Sequence, residues 1–282
     1  MNPTRLSDYA VGIFPQIPSR KGIKKAIKRG EIHCNGIVGQ TGTWVKGGDQ
    51  LTLVELDEKP RKIYQLALDI VYEDDELAVI LKPAGLLVSG NQFHTVQNAL
   101  PFNLQPSESV DAYQLPKPIH RLDHATSGLL LVAKTRSAHQ HLAQQFKEKT
   151  IQKKYQAIVV GQPKKPEGAI NEPIDGKEAH TFYKVVKTVP SLKVKHLSLM
   201  NLFPQTGRTH QLRIHLADLG HPILGDTLYH GDAPLLKGKG LFLCAVALTF
   251  IHPKTGKEVR YEIDAPAKFE YRLAQEERRF LQ

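Results

Sequence analysis

Apolar and polar positions along the chain recur at two periods, one helical and one alternating. In "TRLSDYAVGIF", Leu6, Tyr9, Ala10 and Ile13 fall at helical spacing. A second helix is predicted after Ser19, with Ile23, Ala26 and Ile27 as its apolar stripe and Gly30 as its stop. "EIHCNGIV" then alternates up to Asn35-Gly36, a hairpin turn, and "WVKGGDQLTLVEL" closes this first unit with a strand. The polar stretch "DEKPRK", residues 57–62, reads as a linker. Beyond it, the two apolar stretches of "LDIVYEDDELAVILKPAGLLV" flank an acidic turn, which predicts a hairpin. Residues 101–118 contain four prolines and no clear period, and are expected to form a long loop. "SGLLLVAKT" predicts a strand, "RSAHQHLAQQFKEK" an amphipathic helix and "QKKYQAIVVG" another strand. Residues 161–178 read as loop and turn. "HTFYKVVKT" and "VKHLSLMNLFP" alternate like sheet strands, and "RTHQLRIHLADLG" reads as a helix ended at Gly220. A hairpin around Pro253–Gly256 and a short helix complete the pattern. Strands outnumber helices without βαβ regularity. The expected class is therefore α+β, with a large, mostly antiparallel mixed sheet over 63–282 and a small α/β domain over 1–57.

Charge adds to this picture. The 282 residues carry a net charge of +10, and residues 1–50 hold eight Lys/Arg against three Asp/Glu. Arg20, Lys21, Lys24, Lys25 and Lys28 cover the polar side of the second predicted helix. Such a face suits a polyanionic partner. No stretch approaches the ~20 apolar residues of a membrane span. The first residues lack the apolar core of a secretory signal. Cys34 and Cys244 are too few for a disulfide framework. A cytoplasmic, monomeric protein without membrane attachment is expected.

Candidate chemistry concentrates in "PIHRLDHATSGLLLVAK", residues 118–134. His120, Arg121, Asp123 and His124 fall within five positions, just before a run of aliphatics. A carboxylate at the mouth of a buried strand is costly unless a cation or hydrogen bonds hold it. Arg121 is one local partner. Arg213 is another: on a helix over 209–219, His210, Arg213 and Ala217 share one face, while Leu212, Leu216 and Leu219 share the core face. From spacing alone, a structural role and a reactive role fit Asp123 equally. Tyr155, on the same strand face as Ala157, reads by itself as a core tyrosine. His210 and His215 fall on different faces, and no Cys-x-x-Cys or His-Glu-x-x-His spacing occurs, so no metal site is expected. Ser127 lies near the histidines but in no Gly-x-Ser-x-Gly elbow. "KPAGLLVSG" matches neither the phosphate-loop spacing nor the dinucleotide fingerprint.

Residues 4–54 resemble the small RNA-binding module of the ribosomal S-four type. The likeness rests on Arg5-Leu6, Asp8, Ser19-Arg20, Ile23, Gly30-Glu31, Asn35-Gly36 and Gly48-Asp49. It implies that the basic helix face grips an RNA backbone with little sequence reading. Further on, "VILKPAGLLV", "HRLDHATSGLLLVAKT", "KKYQAIVVG" and "TGRTHQLRIHLADLGHPILGDTLY" follow in that order. Together they resemble the RluA-type RNA pseudouridine synthases over roughly residues 66–268. That resemblance implies an isomerase without cofactor or metal. It breaks the bond from ribose to N1 of uridine in RNA and rejoins the uracil through C5. It makes Asp123 the essential aspartate, Tyr155 the tyrosine that stacks on the base, and Arg213 the arginine paired to Asp123. Arg121 becomes the substrate-loop arginine that acts as the nucleotide flips out, since a stacked base hides its glycosidic bond. His120 supports that loop or contacts phosphate, His124 is a solvated loop residue, and Arg208 and His210 contact phosphate or substrate. Lys82 and Lys154 are structural or touch RNA. Large-subunit ribosomal RNA is the expected substrate, with transfer RNA as the alternative. An RNA-binding or ribosome-assembly factor with secondary catalysis is the competing class, and the intact Asp123, Tyr155 and Arg213 argue against it.

Overall fold

The computed structural model describes residues 3–15, 17, 19–54, 62–231 and 240–282. The chain divides into two compact units, Met1–Arg61 and Lys62–Gln282. Of the linker expected over 57–62, all but Lys62 lies outside the described residues.

The first unit opens with β1 (Thr4–Arg5) and α1 (Leu6–Tyr9). This helix is shorter than its spacing predicted: the chain turns through Gly12 at φ +85°, and Ile13 is exposed. In α2 (Arg20–Arg29), Ser19 Oγ accepts from the Gly22 N–H and Gly30 adopts the left-handed conformation, as the cap residues predicted. Ile23, Ala26 and Ile27 pack against Leu6, Ala10, Ile32 and Val45, which leaves Lys21, Lys24, Lys25 and Lys28 exposed. β2 (Ile32–Cys34) and β3 (Ile37–Val38) form the predicted hairpin, with positive φ at both Asn35 and Gly36. β4 (Trp44–Val45) pairs with β1, and β5 (Leu51–Leu53) pairs with β2.

The second unit begins with the acidic hairpin of β6 (Asp69–Glu73) and β7 (Leu77–Lys82). The loop expected over 101–118 is largely regular: α3 (Val96–Asn103) runs into it and β8 (Ala112–Pro118) ends it. The apolar stripe of α3, Val96, Ala99 and Leu100, lies ahead of the proline-rich window. β8 pairs only with β9, and an edge strand tolerates proline. Then follow β9 (Ser127–Thr135), α4 (Arg136–Glu148) and β10 (Gln152–Val160). β11 (Glu167–Ile170) is a short edge strand within the expected loop 161–178. β12 (Thr181–Ser191), β13 (Lys195–Pro204) and α5 (Gln211–Asp218) lead to β14 (Leu243–Ile251), β15 (Glu258–Glu262) and α6 (Lys268–Leu281).

Ten strands form one sheet, and of its strand pairings among the described residues only β9–β14 is parallel. The class is α+β, as predicted. Successive residues of β7 and β9 enter different cores. Ala78, Ile80, Leu130 and Val132 pack with α3, whereas Leu77, Val79, Leu129 and Leu131 pack with Leu142 of α4. Burial on both faces explains why "SGLLLVAKT" shows no alternation.

The two halves of the sheet meet where Ser127 opposes Cys244 and Gly128 opposes Ala245. Past this point β9 pairs with β8 and β14 pairs with β15. Gly128 adopts φ +120°, and a Cβ there would stand 2.3 Å from the Ala245 carbonyl oxygen. Only glycine allows so close a backbone approach at that φ. Gly128→Ala should therefore destabilise the protein by about 3 kcal/mol, through overpacking plus backbone strain. Calorimetry should find the unfolding midpoint lowered by roughly 6–12 °C; an unchanged midpoint would show that the junction yields.

Candidate active site

Asp123 lies in the tight turn that feeds β9, where the Thr126 N–H donates to the Asp123 carbonyl at 3.1 Å. The turn is anchored from below by Lys82, the last residue of β7. Its fully buried ammonium donates to the carbonyls of Pro83 (2.8 Å), His124 (3.2 Å) and Thr126 (2.7 Å). Burial pulls this lysine down to about 8, against the opposing pull of the Asp123 charge. Of the two roles expected of Lys82, the structure selects the structural one, since a buried ammonium cannot meet RNA.

A cavity of about 480 Å³ opens beside this turn, and its wall includes His120, Arg121, Asp123, Tyr155, Arg208, His210 and Arg213. All seven residues singled out for catalysis or substrate contact therefore converge. Tyr155 reaches the cavity from β10, at a bulge between Lys154 and Tyr155 and directly across from Ala245. It touches the cores on both sides of that junction. Burial first, then the negative charge of Asp123, raises its phenol well above the usual range. Tyr155 is thus a neutral ring with its proton in place.

Arg213 departs from expectation. It projects inward from α5 and is buried, yet its fork closes on Asp226, with Nε and Nη2 each donating at 2.7 Å. Asp123 acts on it only through space. The reason is geometric: Asp226 squarely faces the Nε–Nη2 edge of the guanidinium and is fully buried, so it needs the cation more than the partly exposed Asp123 does. Burial works against both charges, but their mutual hydrogen bonds prevail. Arg213 is raised and Asp226 is lowered. Asp226 Oδ1 also accepts from the N–H groups of Leu228 (2.9 Å) and Tyr229 (3.1 Å).

The stretch "TGRTHQ" folds around its glutamine. Gln211 Oε1 accepts from the Thr206 hydroxyl (2.7 Å) and the Arg208 N–H (3.0 Å), while its Nε2 donates to the His180 carbonyl (2.9 Å). This buried knot presents Arg208 and His210 to the cavity. Arg208 Nε donates to the Glu178 carbonyl at 2.9 Å. His210 Nδ1 lies 2.9 Å from Tyr229 Oη, and Nε2 lies 3.9 Å from Asp123 Oδ1.

His120 takes the loop-supporting role of the two expected for it. Its Nε2 accepts from the Leu131 N–H at 3.1 Å, and its ring stacks near Phe146. Burial and the nearby Lys153 cation hold it down at about 3. A neutral ring that accepts from the backbone braces the loop and offers phosphate no charge. Arg121, next to it, is exposed at the rim of the cavity. Lys154 pairs with Glu262 at 2.9 Å. Sequence reasoning missed Lys153, which lines the cavity, and the pair Asp226 and Tyr229, although "GDTLY" stood within the quoted motif. Among the described residues no cluster of three or more His, Cys, Asp or Glu is placed to hold a metal ion.

Residues 76–218, just over half of the chain, match the model of the RNA pseudouridylate synthase family. The chain belongs to this family. The synthase is 35% identical to an uncharacterized RNA pseudouridine synthase of Aquifex aeolicus, over 94% of this chain and 91% of the relative. It is also 35% identical to the ribosomal large subunit pseudouridine synthase D of Vibrio cholerae, over 93% and 88%. Among solved structures, human RNA pseudouridylate synthase domain containing 4 superposes with a TM-score of 0.59 at 26% identity. That match covers 73% of this chain and 92% of the human one. The synthase is an isomerase that turns uridine in RNA into pseudouridine.

The His120 brace carries a pH signature. As pH falls below about 6.5, the unfolded chain takes up a proton at this histidine that the folded synthase refuses until about 3. Stability contributed above that interval is therefore lost across it. In His120→Gln, which keeps an acceptor for Leu131, urea unfolding at pH 6.5, 5.5 and 4.5 should show a shallower fall than in wild type. Identical slopes would show that His120 titrates normally.

Proposed function

We propose that this synthase modifies ribosomal RNA of the large subunit, and that Asp123, Tyr155 and Arg213 form its catalytic set. The substrate reading rests on the 35% identity, over 93% of the chain, to a relative named for the ribosomal large subunit. The catalytic reading rests on one observation: Asp123 and the neutral Tyr155 face the same cavity of about 480 Å³, a size that suits a flipped nucleoside. Asp123 meets the ribose and counters the positive charge that develops at C1′ as the bond to N1 breaks. Tyr155 supports the uracil ring while it turns. Arg213, locked onto Asp226, supplies a fixed positive field behind Asp123. The exposed Arg121 meets the RNA strand at the vacated stack, and Arg208 and His210 contact the substrate from the cavity wall.

Residues 1–57 act in this reading as an S-four-like RNA-binding domain ahead of a catalytic domain over 63–282. The break between compact units at 61 and 62 supports the division. The exposed Lys21, Lys24, Lys25 and Lys28 support the binding role. Arg20 joins them but is tethered to Asp8 at 2.6 Å. In this reading the enzyme works as a cytoplasmic monomer. Among the described residues no helix is long and apolar enough to cross a membrane.

Asp123→Asn should bind RNA within about threefold of wild type and lose at least ~10³-fold in pseudouridine formation. Equal activity in both would remove Asp123 from catalysis. Pseudouridine mapping in cells with and without this gene should lose a site in large-subunit ribosomal RNA; loss of a transfer RNA site instead would overturn the substrate. Changing Lys24, Lys25 and Lys28 together to Ala should weaken RNA binding and reduce the salt slope by up to about 3. An unchanged slope would mean that the helix face stays in solvent.

A further inference from the structure

His210 has an unusual backbone. It stands at the N-cap of α5 with φ 56°, a left-handed conformation that non-glycine residues seldom adopt, and its side chain makes no capping hydrogen bond. The ring turns instead between Tyr229 and Asp123. Tyr229 is itself held twice. Its N–H donates to Asp226, and the Arg213 guanidinium that forks onto Asp226 lies 5.1 Å from its ring centre. Its ring meets His210 edge-on, with centroids 5.6 Å apart.

Asp123 presents a carboxylate oxygen, which accepts only. A histidine edge directed at it is favourable when Nε2 carries the hydrogen. Nδ1 then accepts, and Tyr229 Oη is the donor at 2.9 Å. The 3.9 Å between Nε2 and Asp123 Oδ1 is too long for a direct bond, but one oxygen about 2.8 Å from each fits between them. That oxygen must accept from Nε2–H and donate to the carboxylate. A uracil carbonyl or a phosphate oxygen has no proton to give. Within an RNA strand the 3′ and 5′ oxygens are esterified, so the hydroxyl of a bound nucleotide is the 2′-OH, which DNA lacks.

We propose that His210 and Asp123 together clasp the 2′-hydroxyl of the target uridine, and that Tyr229 is the positioning residue that keeps His210 Nε2–H aimed at it. The clasp rests on the reading of Asp123 given above. It makes the active site itself a discriminator of ribose from deoxyribose.

The test uses two synthetic RNA hairpins that span the uridine lost from the pseudouridine map in the deletion strain. They differ only by a 2′-deoxy sugar at that nucleotide. Conversion of the all-ribose hairpin by wild type bears on the substrate reading; the ratio between hairpins bears on the clasp. Wild type should favour ribose by roughly 10- to 100-fold in kcat/KM, the loss of one hydrogen-bonded hydroxyl beside a charge. If the deoxy hairpin does not react, the same ratio is read from its inhibition constant as a competitor. In His210→Ala the preference should shrink by roughly fivefold, with only the Asp123 half of the clasp left. Tyr229→Phe should reduce it by at least about threefold while circular dichroism and the unfolding midpoint stay at wild-type values. A merely structural tyrosine would lower both activities together and leave the ratio intact. An intact ratio in both variants, or no preference in wild type, overturns the proposal. His210→Ala reads the clasp even if Tyr229→Phe fails to fold.

Discussion

The site depends on a backbone contact two residues wide. Gly128 and Ala245 lie side by side in the parallel pairing of β9 with β14, and nothing larger than a hydrogen fits on Gly128. The Asp123 turn ends at this contact from one side. From the other, β10 sets Tyr155 against the same Ala245. The turn that carries the carboxylate and the strand that carries the phenol are thus both tied to this one junction of the sheet. Active-site groups on rigid elements keep their geometry without spending binding energy to find it.

The charges around Asp123 share a pattern. Lys82 is bonded to three carbonyls, and Arg213 is bonded to Asp226. The fields of these two cations reach Asp123, but their hydrogen bonds do not. A carboxylate held by a direct fork would have its lone pairs occupied. One without such a fork keeps them open for substrate. The buried Arg213–Asp226 pair serves here to fix a charge in place, and breaking it by removing one partner would cost about 3–5 kcal/mol.

Much of this was legible in the residues. Ser19, Gly30 and Asn35-Gly36 marked their caps and turn because cap and turn chemistry is local. The aliphatic run after Asp123 announced a buried strand. The class of reaction was carried by ordered motifs, with "HRLDHATSG" and "TGRTHQLR" as its core. What escaped was non-local. Arg213 offered its cation to two carboxylates, and nothing in spacing alone could tell that Asp226, thirteen residues on, outcompetes Asp123. For His120 the residues left loop support and phosphate contact both open, and the Leu131 N–H that its ring nitrogen accepts from lies eleven positions on. The helix that runs into the proline-rich window was hidden because its apolar stripe lies just upstream of it.

The order of strands in space has a consequence in time. β14 sits between β9 and β10, yet it is made about a hundred residues after them. A ribosome emitting this chain releases the Asp123 turn, then Tyr155, then Arg213, long before the strand that sets them in register. Until β14 slots into the gap, the two halves of the sheet have open inner edges, the kind of surface that chaperones shield. Such late closure raises contact order and slows folding. It also means that Asp123 and Tyr155 cannot be set in register until synthesis has passed residue 251.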